Sequence, residues 1–269
     1  MLRDITLGQY YQADSIIHRL DPRTKILATL GYIVSLFLVN NCIGYIMCIL
    51  FLGAMIALSK VPLGFMMRGL KSIIILLLVT VVFNLFLTQG TPIVSFWIFT
   101  ITAEGLKNAI YMAIRMFLLI LGSSLMTLTT TPNNLTDGIE SLLGFLKLFR
   151  VPVHEVAMMM SIALRFIPIL VDETDKIMKA QMARGANFEK GGLIKKAKAM
   201  VPLFIPLFIS AFRRANDLAM AMEARCYHGG KGRTKMKVLR IHVRDFLALA
   251  LIAAEITAAV FAGMIPVPF

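Results

Sequence analysis

The sequence predicts an all-α, polytopic membrane protein with about five transmembrane helices and a basic region of long amphipathic helices. Three observations carry that reading. Of 269 residues, 58% are hydrophobic and the mean hydropathy is +0.78, above the roughly 45–50% apolar usage of soluble domains. The excess lies in runs long enough to cross a bilayer, which takes about 20 apolar residues. The net charge of +13 clusters beside those runs, as expected where basic loops stay on the inner side of a membrane.

The elements follow in chain order. Residues 1–23 are polar and turn-like, and no cleavable signal peptide is expected. Asp21 and Pro22 supply an N-cap and a first helical residue. Apolar segments at 25–40 and 42–58 flank a tight Asn40-Asn41 turn. A basic loop with Lys60, Arg68 and Lys71 leads into a third span at 72–88. The next segment is poor in charge and holds Pro92 and Trp97, and Trp is typical of the membrane interface. A fourth span covers 108–130 and carries Arg115.

From residue 132 the charges become frequent and the apolar residues fall into helical stripes. Helices are expected at 133–148, 153–184 and 193–227, and a last span at 246–264. The domain organisation is therefore 1–131 for the N-terminal segment and four spans, 132–244 for the amphipathic region, and 245–269 for the C-terminal span. Lysine and arginine placement puts the N-terminus and 132–244 on the cytoplasmic side of the cell membrane. The stretches 156–170 and 201–212 are strongly apolar. The second is too short to span, and Arg165 and Pro168 interrupt the first. Both are expected to lie at or under the membrane, packed on each other.

Covalent chemistry needs convergent titratable groups, and the sequence offers none. Arg115 and Glu255 stand alone within the spans. Paired carboxylates, HExxH and Ser-His-Asp spacing are all missing, so no catalytic residue, no cofactor and no enzymatic activity are expected. Cys42, Cys48 and Cys226 form no CxxC, and the four histidines lack metal-ligand spacing, so no metal site is expected. GGKGRT at 229–234 lacks the spacing of a phosphate loop and reads as a basic linker near lipid headgroups. The basic charge comes without a nucleic-acid module, and membrane lipid is the implied partner. Uniformly apolar spans without an inverted repeat argue against a self-contained transporter. An enlarged basic helical face suits a soluble partner instead.

Two short stretches share a shape: QMARGANF at 181–188 and AMEARCYHGG at 221–230. Each ends a helix with an arginine between small residues, Ala183-Arg184-Gly185 and Ala224-Arg225-Cys226. One reading is capping, with arginine complementing the helix dipole and Gly185 or Gly229 closing the helix. The other is docking, in which small neighbours let a partner approach and the guanidinium enters its groove. Two such ends suit a partner with two similar grooves.

GQYYQADSIIHRLDPRTK at 8–25, ALRFIP at 163–168, ARG at 183–185 and EARCY at 223–227 together resemble the transmembrane T component of energy-coupling factor (ECF) transporters. The resemblance runs over essentially the whole chain. It implies a scaffold whose long cytoplasmic coupling helices end in two arginines, each entering one of two ABC-type ATPases. ATP would be bound by those subunits. It further implies a separate small membrane protein, the S component, that captures a vitamin or other micronutrient and is reoriented in the membrane. Cys226 departs from the glycine of the first triplet but is still small. The S component is expected on apolar helix surface, with Ala163 and Ser210 as contact positions. The methionines, 18 in all with a run at 158–160, fit either an adaptable docking surface or simple core filling. Alternatives are the T component of a dedicated cobalt or nickel importer, a conventional ABC permease, or a membrane-embedded enzyme.

Overall fold

The computed structural model describes residues 10–39, 41–88, 91–96, 99–186, 188, 192–230 and 238–264. Among them are α1 (Pro22–Leu38), α2 (Cys42–Ser59), α3 (Leu63–Leu87), β1 (Pro92–Phe96) and β2 (Phe99–Thr102). There follow α4 (Ala103–Thr129), α5 (Pro132–Leu142), a 3-10 segment (Leu143–Phe149), α6 (Val153–Ala183), α7 (Leu193–Ala224) and α8 (Val243–Met264). Glu140–Val238 cluster into one compact unit, and Gly8–Ile139 with Leu239–Phe269 into a second.

Local chemistry sets the helix starts. Pro22 opens α1, and the Asp21 carboxylate accepts the Arg23 N–H at 2.9 Å. At α4 the Thr102 hydroxyl accepts the Gly105 N–H at 3.0 Å. Each cap satisfies one of the donors that a helix N-terminus leaves free.

Two expectations change. The basic loop expected between residues 60 and 71 shrinks to Lys60–Pro62. Lys60 ends α2 in the left-handed region (φ 57°), extended Pro62 opens α3, and helix runs from Leu63 through the positions of Arg68 and Lys71. The charge-poor segment after α3 contains a small antiparallel hairpin, β1 with β2, pairing Ser95 with Thr100. Asn40, Trp97 and residues 231–234 of the GGKGRT stretch lie outside the described residues.

Among the described residues, four helices are long and apolar enough to cross a membrane: Cys42–Ser59, Ala103–Thr129, Val153–Ala183 and Val243–Gly263. α1 has 17 residues, and within α3 the stretch Leu77–Phe86 is apolar as well. α6 qualifies through its N-terminal half, while Asp172, Glu173, Asp175, Lys176 and Lys179 fill its C-terminal half.

In the second unit α1, α2, α4 and α8 bury one core that includes Tyr32, Leu36, Tyr45, Leu52, Leu118, Leu125 and Ile252. Small residues let the helices close up. A Cβ on Gly31 would stand 2.7 Å from Ile252, and one on Gly122 would stand 2.8 Å from the Tyr32 ring. Two charged residues within the spans are tied in. Glu255 accepts from the Ser35 hydroxyl at 2.9 Å and the Cys48 thiol at 3.3 Å, which offsets part of the cost of burying a carboxyl group. Arg115 donates to the Tyr45 hydroxyl at 3.0 Å and to the Val39 carbonyl at 3.1 Å. Its guanidinium lies over the rings of Phe37 and Tyr45, which adds cation–π attraction.

The helix starts on the basic side are also cross-linked. Asp245, 1% exposed, accepts the Asp21 N–H at 2.8 Å and the His242 N–H at 2.7 Å. Lys25, 6% exposed, donates to the carbonyls of His18 (3.2 Å) and Thr129 (2.8 Å).

Candidate docking site at two helix ends

α6 and α7 end in the same backbone geometry. After α6, Arg184 is the C-cap and Gly185 takes φ +93°. The Gly185 N–H reaches the Met182 carbonyl and the Ala186 N–H reaches the Gln181 carbonyl, both at 3.0 Å. After α7, Arg225 is the C-cap and Cys226 takes φ +55°. Here the Cys226 N–H reaches Glu223 O at 2.8 Å and the Tyr227 N–H reaches Met222 O at 3.0 Å. Both are Schellman motifs, which satisfy the last carbonyls of a helix and turn the chain away.

The residue that closes the second helix is therefore Cys226. Gly229, offered above as a possible cap, also has a positive φ of +94° but lies beyond the motif. A non-glycine residue in the left-handed region costs roughly 1–2 kcal/mol. The chain accepts that cost to keep the two ends alike.

Ala183, Arg184, Gly185, Ala224, Arg225 and Cys226 are all exposed. A Cβ on Gly185 would meet nothing within 4 Å. The ion pairs among the described residues involve other arginines, so neither guanidinium is committed within the described chain.

The first unit also joins motifs that are sixty residues apart in sequence. A cavity of about 680 Å³ is lined by Met158, Arg165 and Phe166 of α6 and by Arg225, Tyr227 and His228 after α7. ALRFIP and EARCY thus share one groove with two arginines.

Ala163 is exposed on α6, whereas Ser210 is half-buried. The Ser210 hydroxyl donates to Glu173 Oε1 at 2.5 Å, and Arg214 donates to Glu173 Oε2 from Nε (3.2 Å) and Nη2 (2.9 Å). These bonds hold α6 to α7. Residues separated by about forty positions on two helices give no signal of such pairing in one sequence. The apolar stripe of α7 was readable: Phe204, Ile205, Phe208, Ile209 and Phe212 recur at i, i+4 and are each at least 55% exposed. Met159 (58%) and Met160 (43%) are also on the surface, so this part of the methionine run fills no core.

Residues 13–236 match the family model described as CbiQ, cobalt transport protein. A Clostridium kluyveri protein named energy-coupling factor transporter transmembrane protein EcfT is 57% identical over 250 residues, covering 92% of this chain and 93% of that protein. The chain belongs to this family of transporter membrane proteins.

EcfT proteins of Thermosediminibacter oceani and Ruminiclostridium cellulolyticum are 53% and 52% identical, each over 94% or more of both chains. The chain is accordingly a multi-pass transmembrane component of an energy-coupling factor transporter, within the family read from its motifs. The names of these relatives describe transport and no catalytic activity.

Proposed function

We propose that the chain is the coupling subunit of an ECF-type importer in the cell membrane, with its N-terminus and residues 132–244 cytoplasmic. Arg184 and Arg225 each anchor one of two ABC-type ATPases. One S component, interchangeable among several, rests on the apolar surfaces of α6 and α7 and carries the vitamin or other micronutrient. ATP-driven movement of the ATPase pair shifts the two helix ends and so reorients the S component. The observation that carries this reading is the matched pair of Schellman ends, each presenting an exposed arginine between small residues.

A charged hydrogen-bonded anchor lost from an interface typically costs about 2–5 kcal/mol. Arg184→Ala or Arg225→Ala alone should reduce substrate uptake more than ATPase co-purification, and the double variant should abolish both. Lysine should substitute poorly because it lacks the planar fork. Simple helix capping would instead give a loss of about 0.3–1 kcal/mol with lysine nearly as good as arginine. A double alanine variant that assembles and transports normally would overturn the proposal.

The description of the matching family favours a second reading, a component dedicated to cobalt or a similar metal ion. The same docking ends would serve it. Metal uptake with a single co-purifying substrate-binding partner, in place of several, would decide for that reading.

A further inference from the structure

The second unit contains an apolar groove that docking of ATPases or an S component at α6 and α7 does not use. It lies between the C-terminal ends of α2 and α4 and the N-terminal ends of α1 and α8, with a volume of about 270 Å³. Met55, Leu58, Leu125, Met126, Leu247 and Leu251 form much of its wall. Leu58 and Leu251 are 50% and 58% exposed, so the groove is open at the side of the helices. The charged residues lining it are Lys25 and Arg244, both cationic.

Asp21 and Asp245 offset the charge of buried Lys25, which leaves Arg244 as the exposed cation of the groove. Asp21 caps α1, and Asp245 accepts two backbone N–H groups. Lys25 has two of its three donors on carbonyls, and no ion pair of Lys25 or Arg244 occurs among the described residues. Arg244 occupies the first turn of α8 beside Asp245, and the apolar run begins at Phe246. An arginine there sits at headgroup depth, with its stem along apolar surface and its guanidinium toward the interface.

We propose that this groove holds an acyl chain of an anionic glycerophospholipid whose phosphate pairs with Arg244. An apolar helix of another protein would fill the walls but leave the exposed Arg244 facing a low-dielectric surface. A phospholipid satisfies both the walls and the charge, and anionic headgroups attract basic residues at this depth. The bound lipid would wedge the basic ends of α1, α2, α4 and α8 at a fixed spacing.

The test uses the full chain in phosphatidylcholine nanodiscs doped with a phosphatidylglycerol that carries a diazirine in its acyl chain. After irradiation, mass spectrometry should find the label concentrated on Met55, Met126 and Leu251. Arg244→Gln should lower that labelling about fivefold, the factor one basic group contributes near an anionic surface. Ala248→Phe leaves the arginine in place, fills the groove and should remove the label even if the first variant folds poorly. The same diazirine on phosphatidylcholine should label these residues only weakly. Equal labelling by the two lipids, or labelling indifferent to both substitutions, would overturn the proposal.

Discussion

Gly185 and Cys226 occupy the same place in two helix ends, each the left-handed residue after a C-cap arginine, at φ +93° and +55°. Glycine enters that region freely and cysteine does not. The match of hydrogen bonds around them is what makes the two triplets equivalent, although their sequences differ.

Cys226→Gly should therefore stabilise the protein by about 1 kcal/mol, and Gly185→Ala should destabilise it by a similar amount. For a chain of this size that is a change of about 2–4 °C in the thermal midpoint. Thermal unfolding in detergent would measure it. Because Arg225 is unchanged, Cys226→Gly should retain ATPase co-purification. A destabilised Cys226→Gly protein would contradict the geometry.

Ser210 and Ala163 should behave differently when enlarged. Ser210→Leu removes a donor to Glu173 and adds bulk between α6 and α7, so the helix pair should loosen. Disulfide trapping between cysteines placed across α6 and α7 should slow. Ala163→Leu should leave that rate unchanged and reduce S-component retention. Arg214→Ala should cost no more than about 1 kcal/mol, since the pair is partly exposed and solvent screens it.

Asp245→Ala should be among the costlier single changes. It leaves the N–H groups of Asp21 and His242 without their acceptor, at about 1–3 kcal/mol for each group that stays buried. Asp245→Asn keeps one oxygen and should lose less. Amide hydrogen exchange at Asp21 should speed up in the alanine variant.

The turn around His18 should be sensitive to acid. The ring Nε2 donates to the Tyr11 carbonyl at 3.0 Å, so in the neutral ring Nδ1 accepts from the Ser15 hydroxyl at 2.7 Å. Burial pushes the His18 pKa below its ordinary value of 6.5, and the positive Lys25 nearby adds to this, partly opposed by the Tyr11 bond and Asp14. The folded state then binds fewer protons than the unfolded state, so stability rises with pH across this window. The contribution is fully present above about pH 6.5 and is lost as pH falls through that value toward the folded pKa. Thermal midpoints measured between about pH 7.5 and 5.5 should fall more steeply for the parent than for His18→Asn. Parallel curves would refute it.

The sequence by itself determined the elements whose causes are local. Asp21-Pro22 marks the start of α1 because a cap needs only adjacent residues. Hydropathy marked the long apolar helices, and the ends expected at 184 and 227 fall within three residues of those of α6 and α7. The α3 start was misjudged because lysine and arginine signal a membrane boundary without breaking a helix, so helix continued through Arg68 and Lys71. Tertiary structure decided what depends on residues brought together from afar. Cys226 closes α7 although its side chain disfavours that conformation, because the carbonyls of Met222 and Glu223 draw the chain round. Ser210 turned inward because Glu173 faces it from α6 and binds it together with Arg214 of α7. The pairing of Asp245 with Asp21, 224 residues apart, follows from packing that no local pattern encodes.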